Sequence, residues 1–190
     1  MVTKKFTTDF GGETLTAEFP DLAEQAHGSA LVRYGDTVVF ATAVISQERR
    51  EGIDYFPLTV DYEERFYAVG KILGSRFIRR EGRPSEEAIL VSRLIDRGLR
   101  PLFNHKIRNE VQVVVLALAY DGEHEPDVPG IIAASLALGT SSIPWEGPIG
   151  AAAVGRVGEK LVVNPKHSEI LQSDIEMVVC GKDGKINMIE

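Results

Sequence analysis

The sequence is poor in the residues that form covalent cross-links and metal centres. It has one cysteine, Cys180, and four histidines among 190 residues. A single cysteine cannot form an intramolecular disulfide, and no Cys/His spacing typical of a zinc site is present. These absences exclude a disulfide-stabilised secreted scaffold and favour a reducing compartment, so we expect a cytoplasmic protein.

Long apolar runs are also missing. None reaches the roughly 18 residues that a membrane-spanning helix needs, and the N-terminus lacks the apolar core of a signal peptide. We therefore expect a soluble protein with no membrane partner. Neither a Gly-rich dinucleotide fingerprint nor a P-loop motif occurs. With 44% hydrophobic and 26% charged residues, the chain can build a sizeable core.

The charge is distributed unevenly. The whole chain has a formal net charge of −7, yet residues 71–103 carry eight Lys or Arg and four Asp or Glu. This segment is therefore +4 and the remainder is −11. A local excess of positive charge in an acidic protein predicts an anion-binding site, with nucleic acid as the first candidate.

The first part of this basic segment predicts a binding loop. Residues 74–85 contain Gly and Pro and show no apolar periodicity. Phe77 can stack on a base, while Arg79 and Arg80 can bind phosphate or stack as well. We therefore predict that Phe77, Arg79 and Arg80 contact single-stranded RNA.

The second part predicts a helix with Ser85 as its N-cap and Gly98 and Pro101 at its end. Helical spacing predicts an inward apolar face of Leu90, Val91, Leu94 and Ile95. The supporting RNA contacts are predicted to be Arg83, Arg93, Arg97 and Arg100. The alternative is a solvated surface on which these arginines pair with the neighbouring acids Glu81, Glu86, Glu87 and Asp96.

The rest of the chain predicts strands and one further helix. Hairpins are expected at 4–10/14–19, 29–34/37–46, 149–157/160–163 and 175–180/185–190, and single strands at 54–62 and 111–120. Pro57 suggests that its strand is an edge strand or contains a bulge. The apolar content of 111–120 predicts a strand that is covered on both faces. Residues 131–138 are predicted to form a buried helix. The expected fold class is α/β (α+β), a mixed, largely antiparallel sheet with packed helices.

Two acidic groups are candidates for metal or acid–base chemistry. The loop after residue 120 carries Asp121, Glu123, His124, Glu125 and Asp127, which form either a metal site or a solvated connection. Asp174 and Glu176 alternate along a strand and share a face, where a carboxylate can hold Mg²⁺ or transfer a proton. The alternative for this pair is an exposed edge-strand face.

Three motifs together resemble one known family. They are SALVRYGDTVVFATAV (29–44), GSRFIRREGRPSEEAILVSRLIDRGLRPLF (74–103) and VQVVVLALAYDGEHEPDVPGIIAASLALGTSSIPWEGPIGAAAVGRV (111–157). Their order and spacing are similar to the first ribonuclease PH-like domain of the bacterial polynucleotide phosphorylase family. That family has Phe-Phe-Arg-Arg where this chain has Phe77-Ile78-Arg79-Arg80, so one stacking ring is replaced.

The resemblance implies a ribonuclease PH-like fold for residues 1–190, expected to be the first, non-catalytic domain of a longer protein and C-terminally truncated. A second, catalytic domain and RNA-binding modules are expected outside this chain. The family implies a nucleotidyltransferase that degrades mRNA from the 3′ end with inorganic phosphate, releases nucleoside diphosphates, and runs in reverse as a polymerase. It also implies Mg²⁺, a homotrimer and partners in an RNA-degradation complex.

The resemblance further implies that this chain alone is inactive. The family's active domain has a serine run for phosphate where this chain has Glu125-Pro126-Asp127. Of its two catalytic aspartates, one matches Asp174 and the other position holds Ser168. We therefore expect an RNA-guiding, ring-forming domain. Two alternatives stay open: an independent enzyme with a divergent site at Asp121–Asp127 and Asp174, and a ring-forming structural subunit with no RNA contact.

Overall fold

The alternating and β-branched segments form strands, and the two apolar helical patterns form the long helices of this computed structural model, which describes residues 3–72, 74 and 82–190. The strands are β1 (Lys4–Phe10), β2 (Glu13–Phe19), β3 (Gly28–Tyr34), β4 (Thr37–Arg49), β5 (Leu58–Glu64), β6 (Asn109–Ala119), β7 (Gly150–Val157), β8 (Lys160–Val163), β9 (Ser173–Lys182) and β10 (Lys185–Ile189). The helices are α1 (Glu86–Leu99), α2 (Asp127–Gly139) and α3 (His167–Ile170), with 3-10 turns at Phe66–Val69 and Arg100–Leu102.

The strands form two sheets, where a single sheet was expected. The first has six strands in the order β1-β2-β3-β4-β6-β5, and the second has four in the order β10-β9-β7-β8. Only β5 and β6 pair in parallel among the described strands. All four predicted hairpins are confirmed. The strand after Pro57 is confirmed as an edge strand, although it begins at Leu58.

Helix α2 lies between the two sheets. It packs on β3, β4 and β6 of the first sheet and on β7 of the second. Its small residues Ala133, Ala134 and Ala137 are fully buried, and this confirms that they allow close approach. The buried Ser135 hydroxyl donates to the Ile149 carbonyl and accepts from the Ile149 N–H, both at 3.0 Å, which ties α2 to the segment leading into β7.

Strand β6 is central, but the prediction that it is covered on both faces is wrong. Val111, Val113, Val115 and Ala117 are buried, whereas the residues between them are exposed or half-buried. The helices pack on one face only. Apolar content therefore identified the strand correctly but did not show which of its faces would be covered.

Helix α1 begins as predicted. The Ser85 hydroxyl accepts a hydrogen bond from the Ala88 N–H at 3.0 Å, and Glu86 and Glu87 occupy the first turn, where they complement the helix dipole. The expected inward face needs correction, because Leu90 is 66% exposed. Helix α1 packs mainly on β5, and that contact buries the side of the helix that carries Ala88, Ile95 and Leu99.

Gly98 does not end α1 but lies inside it. The helix continues to Leu99, and Pro101 stands in the 3-10 turn that follows. A Cβ atom at Gly98 would lie 3.4 Å from both the Cys180 sulfur and the Ile149 side chain. This glycine is therefore a close-packing position between α1 and the second sheet.

We expect this packing limit to be measurable. Gly98→Ala adds a methyl group at ordinary contact distance and should be neutral or gain up to about 1 kcal/mol of helix propensity. Gly98→Leu must displace Cys180 or Ile149 and should cost about 1–3 kcal/mol. Urea unfolding followed by circular dichroism measures both; equal stability of the two variants would contradict the assignment.

Candidate nucleic-acid interface

The predicted RNA contacts differ in what the structure describes of them. Phe77, Arg79 and Arg80 lie outside the described residues, so their predicted role stays a prediction. Arg83 and Arg93 are exposed, and neither makes an ion pair within the described part of the chain. Arg97 is exposed but pairs with Glu190 on β10.

Arg100 makes four hydrogen bonds within the protein, and its predicted contact with RNA stays a prediction. Its guanidinium donates to both carboxylate oxygens of Asp96, at 2.8 and 2.6 Å. It also donates to the carbonyls of Phe56 and Leu58, at 3.3 and 3.1 Å. Asp96 was one of the acids proposed as alternative partners. These four hydrogen bonds tie the end of α1 to the start of β5 and leave little of Arg100 to offer a nucleic acid.

A cavity of about 830 Å³ lies next to the start of α1, and the sequence analysis did not predict it. It opens where the parallel strands β5 and β6 end, the position at which α/β sheets commonly bind ligands. Its lining includes Glu64, Phe66, Arg83, Ala117 and Tyr120. The sequence signal that was missed is the aromatic pair Phe66-Tyr67, directly after a strand and beside an arginine.

The cavity has an apolar interior and an ordered polar rim. Phe66 and Val69 are 41% and 46% exposed, and the Ala68 carbonyl of their 3-10 turn accepts from the Tyr120 N–H at 3.0 Å. The Tyr120 hydroxyl donates to Glu125 at 3.1 Å. Partial burial and the adjacent Glu125 carboxylate raise the pKa of Tyr120 to about 12, so this hydroxyl stays a donor at neutral pH.

A second hydrogen bond fixes the rim on the side of α1. The Ser85 hydroxyl donates to the Glu64 carboxylate at 3.2 Å while it caps the helix. The end of β5 is thereby held against the first turn of α1. The rim of the cavity is therefore positioned by the same residue that starts the helix.

The acidic loop after β6 joins separate parts of the fold, and its first carboxylate organises the loop itself. The Asp121 carboxylate accepts from the N–H groups of Asp36, Glu123 and His124 and from the His124 ring, at 2.6 to 3.0 Å. Partial burial alone would raise the pKa of Asp121, but these hydrogen bonds outweigh it and hold the pKa well below its usual range.

The other loop acids bind α3. Glu123 accepts from the Ser168 hydroxyl at 2.8 Å, and Glu125 contacts the His167 ring at 2.9 Å. No group of three or more His, Cys, Asp or Glu side chains within residues 3–72, 74 and 82–190 is arranged to hold a metal ion. A solvated loop is also too simple a description, since His124 is buried. The loop instead connects the first sheet to α3.

The pKa of Asp127, at the start of α2, is shifted in the opposite direction to that of Asp121. Its enclosure in the protein raises its pKa to about 6, and the nearby carboxylates of Glu125 and Glu176 add to the shift. A raised carboxyl pKa beside further carboxylates makes this end of α2 unfavourable for phosphate. This agrees with the inference drawn from Glu125-Pro126-Asp127 in the sequence.

Asp174 is paired, and its strand is not at an edge. Arg156 donates to both carboxylate oxygens of Asp174, one of them at 2.8 Å, and this bidentate contact lowers the pKa of Asp174. Strand β9 lies between β7 and β10, so it is not an edge strand, but Asp174 and Glu176 are both exposed, which confirms the exposed face of that alternative. Asp174 carries its own counterion, and the described residues therefore do not fit a magnesium site here.

The fold is shared with known RNA-processing proteins. The model of the 3′ exoribonuclease family, domain 1, matches residues 13–144, and the model of domain 2 of the same family matches residues 147–190. The boundary between the two matches lies between α2 and β7. The second match therefore contains the four-stranded sheet.

Curated relatives carry the same enzyme name. The polyribonucleotide nucleotidyltransferases of Anoxybacillus flavithermus and Heliobacterium modesticaldum are each 55% identical over 185 residues, covering 97% of this chain. The chain spans about a quarter of their length, 26% in both cases.

Solved structures show the same fold at low sequence identity. A chain of the Archaeoglobus fulgidus exosome with RNA bound to the active site gives a TM-score of 0.69 at 21% identity, covering 100% of this chain and 76% of that one. A chain of an archaeal exosome core gives 0.68 at 20% identity, covering 96% and 76%. These likenesses confirm the predicted ribonuclease PH-like fold.

No helix among the described residues is long and apolar enough to cross a membrane.

Alanine variants of Arg100 and Arg93 should differ in stability, because Arg100 has partners within the protein and Arg93 is exposed. Arg100→Ala removes one donor from each of the Phe56 and Leu58 carbonyls and the counterion of Asp96, and should cost about 1–3 kcal/mol of stability. Arg93→Ala removes an exposed charge and should change stability by less than about 0.5 kcal/mol. Urea unfolding tests both; an Arg100 variant as stable as the parent would refute the structural role.

Asp127 should make stability depend on pH. An unfolded aspartate titrates near 3.9, so between about pH 4 and pH 6 the folded state binds more protons. The contribution of Asp127 to stability therefore falls as pH rises through this window. Asp127→Asn should remove this dependence and stabilise the protein at pH 7 by roughly 1–3 kcal/mol.

The matched control for this measurement is Asp174→Asn. It removes a carboxylate whose pKa is lowered, so it should bring no gain in stability at pH 7. Unfolding curves at pH 5 and pH 7 distinguish the two variants. If Asp127→Asn also brings no gain at pH 7, the proposed electrostatic strain at the start of α2 is wrong.

Proposed function

The chain belongs to the 3′ exoribonuclease family, and on that premise we propose that it is the RNA-guiding first domain of a phosphate-dependent 3′-to-5′ exoribonuclease. The observation that carries this proposal is the 55% identity over 97% of the chain to polyribonucleotide nucleotidyltransferases about four times as long. In this proposal, residues 1–190 are the non-catalytic ribonuclease PH-like domain. The catalytic domain and the RNA-binding modules belong to the remaining length.

The proposed reaction is attack of inorganic phosphate on the 3′-terminal phosphodiester of RNA. The new bond joins the attacking phosphate to the terminal nucleotide's phosphorus, and the shortened RNA leaves with a free 3′ hydroxyl. The product is a nucleoside diphosphate, and the reverse reaction extends RNA. The proposed biological role is mRNA degradation in the cytoplasm by a homotrimer, with components of an RNA-degradation complex as further partners.

The role of this chain is to position the RNA. Arg79 and Arg80 bind phosphates of the single strand, Phe77 stacks on a base, and exposed Arg83 and Arg93 extend the positive surface. Arg97 contributes only if its contact with Glu190 is exchanged for a phosphate. Arg100 supports this surface indirectly by anchoring α1.

Catalysis belongs to the other domain in this proposal. Acidic residues surround the place where a phosphate would sit, and Arg156 neutralises Asp174. Both features disfavour the alternative that this chain is an independent enzyme. Magnesium, which the family requires, fits no site among the described residues, so no step is assigned to it here.

A ring-forming structural subunit without RNA contact is the second candidate function. The internal use of Arg97 and Arg100 favours it, since two of the predicted RNA-binding side chains already have protein partners. The two candidates differ in what charge reversal in the basic segment should disturb.

Reversing the charges of Arg79 and Arg80 in the full-length enzyme tests the proposal. Arg79→Glu/Arg80→Glu should weaken the binding of single-stranded RNA by about ten-fold or more at low salt. It should also flatten the dependence of log K on log[salt] by about 0.7 for each lost phosphate contact. Fluorescence anisotropy with labelled oligoadenylate measures both quantities.

The matched control reverses another adjacent pair, Arg49 and Arg50. These arginines are exposed and lie beside the start of β6, at the opposite end of that strand from the cavity. Unchanged RNA affinity in the Arg79/Arg80 variant would overturn the RNA-guiding role. Loss of assembly with intact RNA affinity would support the structural subunit instead.

A further inference from the structure

A small cavity at the start of α2 has polar walls, and we propose that it binds an ordered water molecule that bridges Asp127 and Asn164. The water donates a hydrogen bond to the Asp127 carboxylate and accepts one from the Asn164 amide. It thereby links α2 to the residue that follows β8. This site goes beyond the proposed function and does not depend on it.

The size of the cavity suits water and excludes larger ligands. Its volume is about 40 Å³, which is room for about two or three water molecules at roughly 10–15 Å³ each. Its walls come from β3, the acidic loop, α2, β7, the segment after β8, α3 and β9. The exposed side chain of Glu176 stands at its mouth, so water can enter from that side.

Asp127 provides an acceptor that its backbone donors do not fully satisfy. Its carboxylate accepts a hydrogen bond from the Val128 N–H at 2.7 Å. Enclosure and the nearby carboxylates of Glu125 and Glu176 nevertheless raise the pKa of Asp127 to about 6. A water molecule beside this carboxyl group adds a donor without bringing a further negative charge.

Buried polar atoms at the same cavity lack protein partners. Asn164 is 9% exposed, and its side-chain carbonyl accepts from the Ala153 N–H at 2.9 Å. Its amide nitrogen has no hydrogen-bond partner among the described residues, and it lies beside the Tyr34 hydroxyl without reaching hydrogen-bond geometry. His124 is 8% exposed, and its Nε2 is likewise without a partner in that part of the chain. Buried polar groups of this kind cost free energy unless a hydrogen bond satisfies them.

The composition of the walls distinguishes a water site from a dry cavity. Cavities that stay empty in folded proteins are lined by apolar side chains alone. Here the apolar walls, which include Val128 and Val178, adjoin three carboxylates, an imidazole and an amide. Water is the ligand of this size that can donate to the carboxylates and accept from the amide at once.

A pair of variants with the same shape at Ala153 tests the inference. Ala153 lines the cavity from β7, and valine and threonine there would fill the space equally, since both are β-branched. Only threonine brings a hydroxyl that can replace the hydrogen bonds of the displaced water. Amide hydrogen exchange of residues 123–130 should therefore be about two-fold to ten-fold faster in Ala153→Val than in Ala153→Thr, as expected for one hydrogen bond. Mass spectrometry on the full-length enzyme measures these rates.

The matched control places the same two substitutions at Ala152, the preceding residue of β7, which is half-buried and outside the cavity lining. Ala152→Val and Ala152→Thr should give equal exchange in residues 123–130. A dry cavity would favour valine at position 153, because a threonine hydroxyl would be left without a partner. Exchange in Ala153→Val that is no faster than in Ala153→Thr therefore overturns the inference, as does an equal difference in the control pair.

A crystal structure of the unaltered full-length enzyme gives a direct readout that needs no variant. We expect density for a water molecule within hydrogen-bond distance of both the Asp127 carboxylate and the Asn164 amide. If other buried waters are visible at the same resolution and this position shows no density, the water site is wrong.

Discussion

The packing of helix α2 between two sheets is the constraint on which the rest of this structure depends. Its residues are mostly small or aliphatic, and nine of its thirteen residues are buried. A Cβ at Gly28 of β3 would come within 2.1 Å of the Ala137 carbonyl, so helix and strand meet without side chains between them. The short acidic loop between Ala119 and Asp127 then places the start of α2 at the end of β6.

The acidic loop connects the first sheet to α3 through the hydrogen bonds of its carboxylates. Asp121 is stabilised as a carboxylate by four hydrogen bonds, whereas Asp127, six residues later, has its pKa raised by enclosure. Four donors outweigh the partial burial of Asp121, whereas for Asp127 the hydrogen bond from the Val128 N–H does not offset its enclosure and the nearby carboxylates of Glu125 and Glu176. Asp121 therefore organises the loop as a carboxylate, whereas Asp127 is enclosed at the start of α2.

The arginines of the basic segment also differ in their surroundings, since some have protein partners and others are exposed. Arg100 reaches back from the end of α1 to the carbonyls at the start of β5 and is used for folding. Arg83 and Arg93 face outward, with no such partners in the described ranges. Of these two arginines, Arg83 lines the cavity beside the start of α1. Acidic residues around the end of β6 explain why binding, and not phosphate attack, is the chemistry proposed here.

The sequence by itself determined the fold class, the hairpins, both long helices and the Ser85 cap, because periodicity, turn glycines and capping are local properties. The family resemblance followed from motif order and spacing. Only the tertiary structure decided which faces are covered, so Leu90 is exposed and Gly98 packs on Cys180. It also decided that Arg100 is structural and that a cavity opens beside Phe66. These depend on which elements meet, and partners distant in sequence, such as Phe56 for Arg100, leave no local pattern.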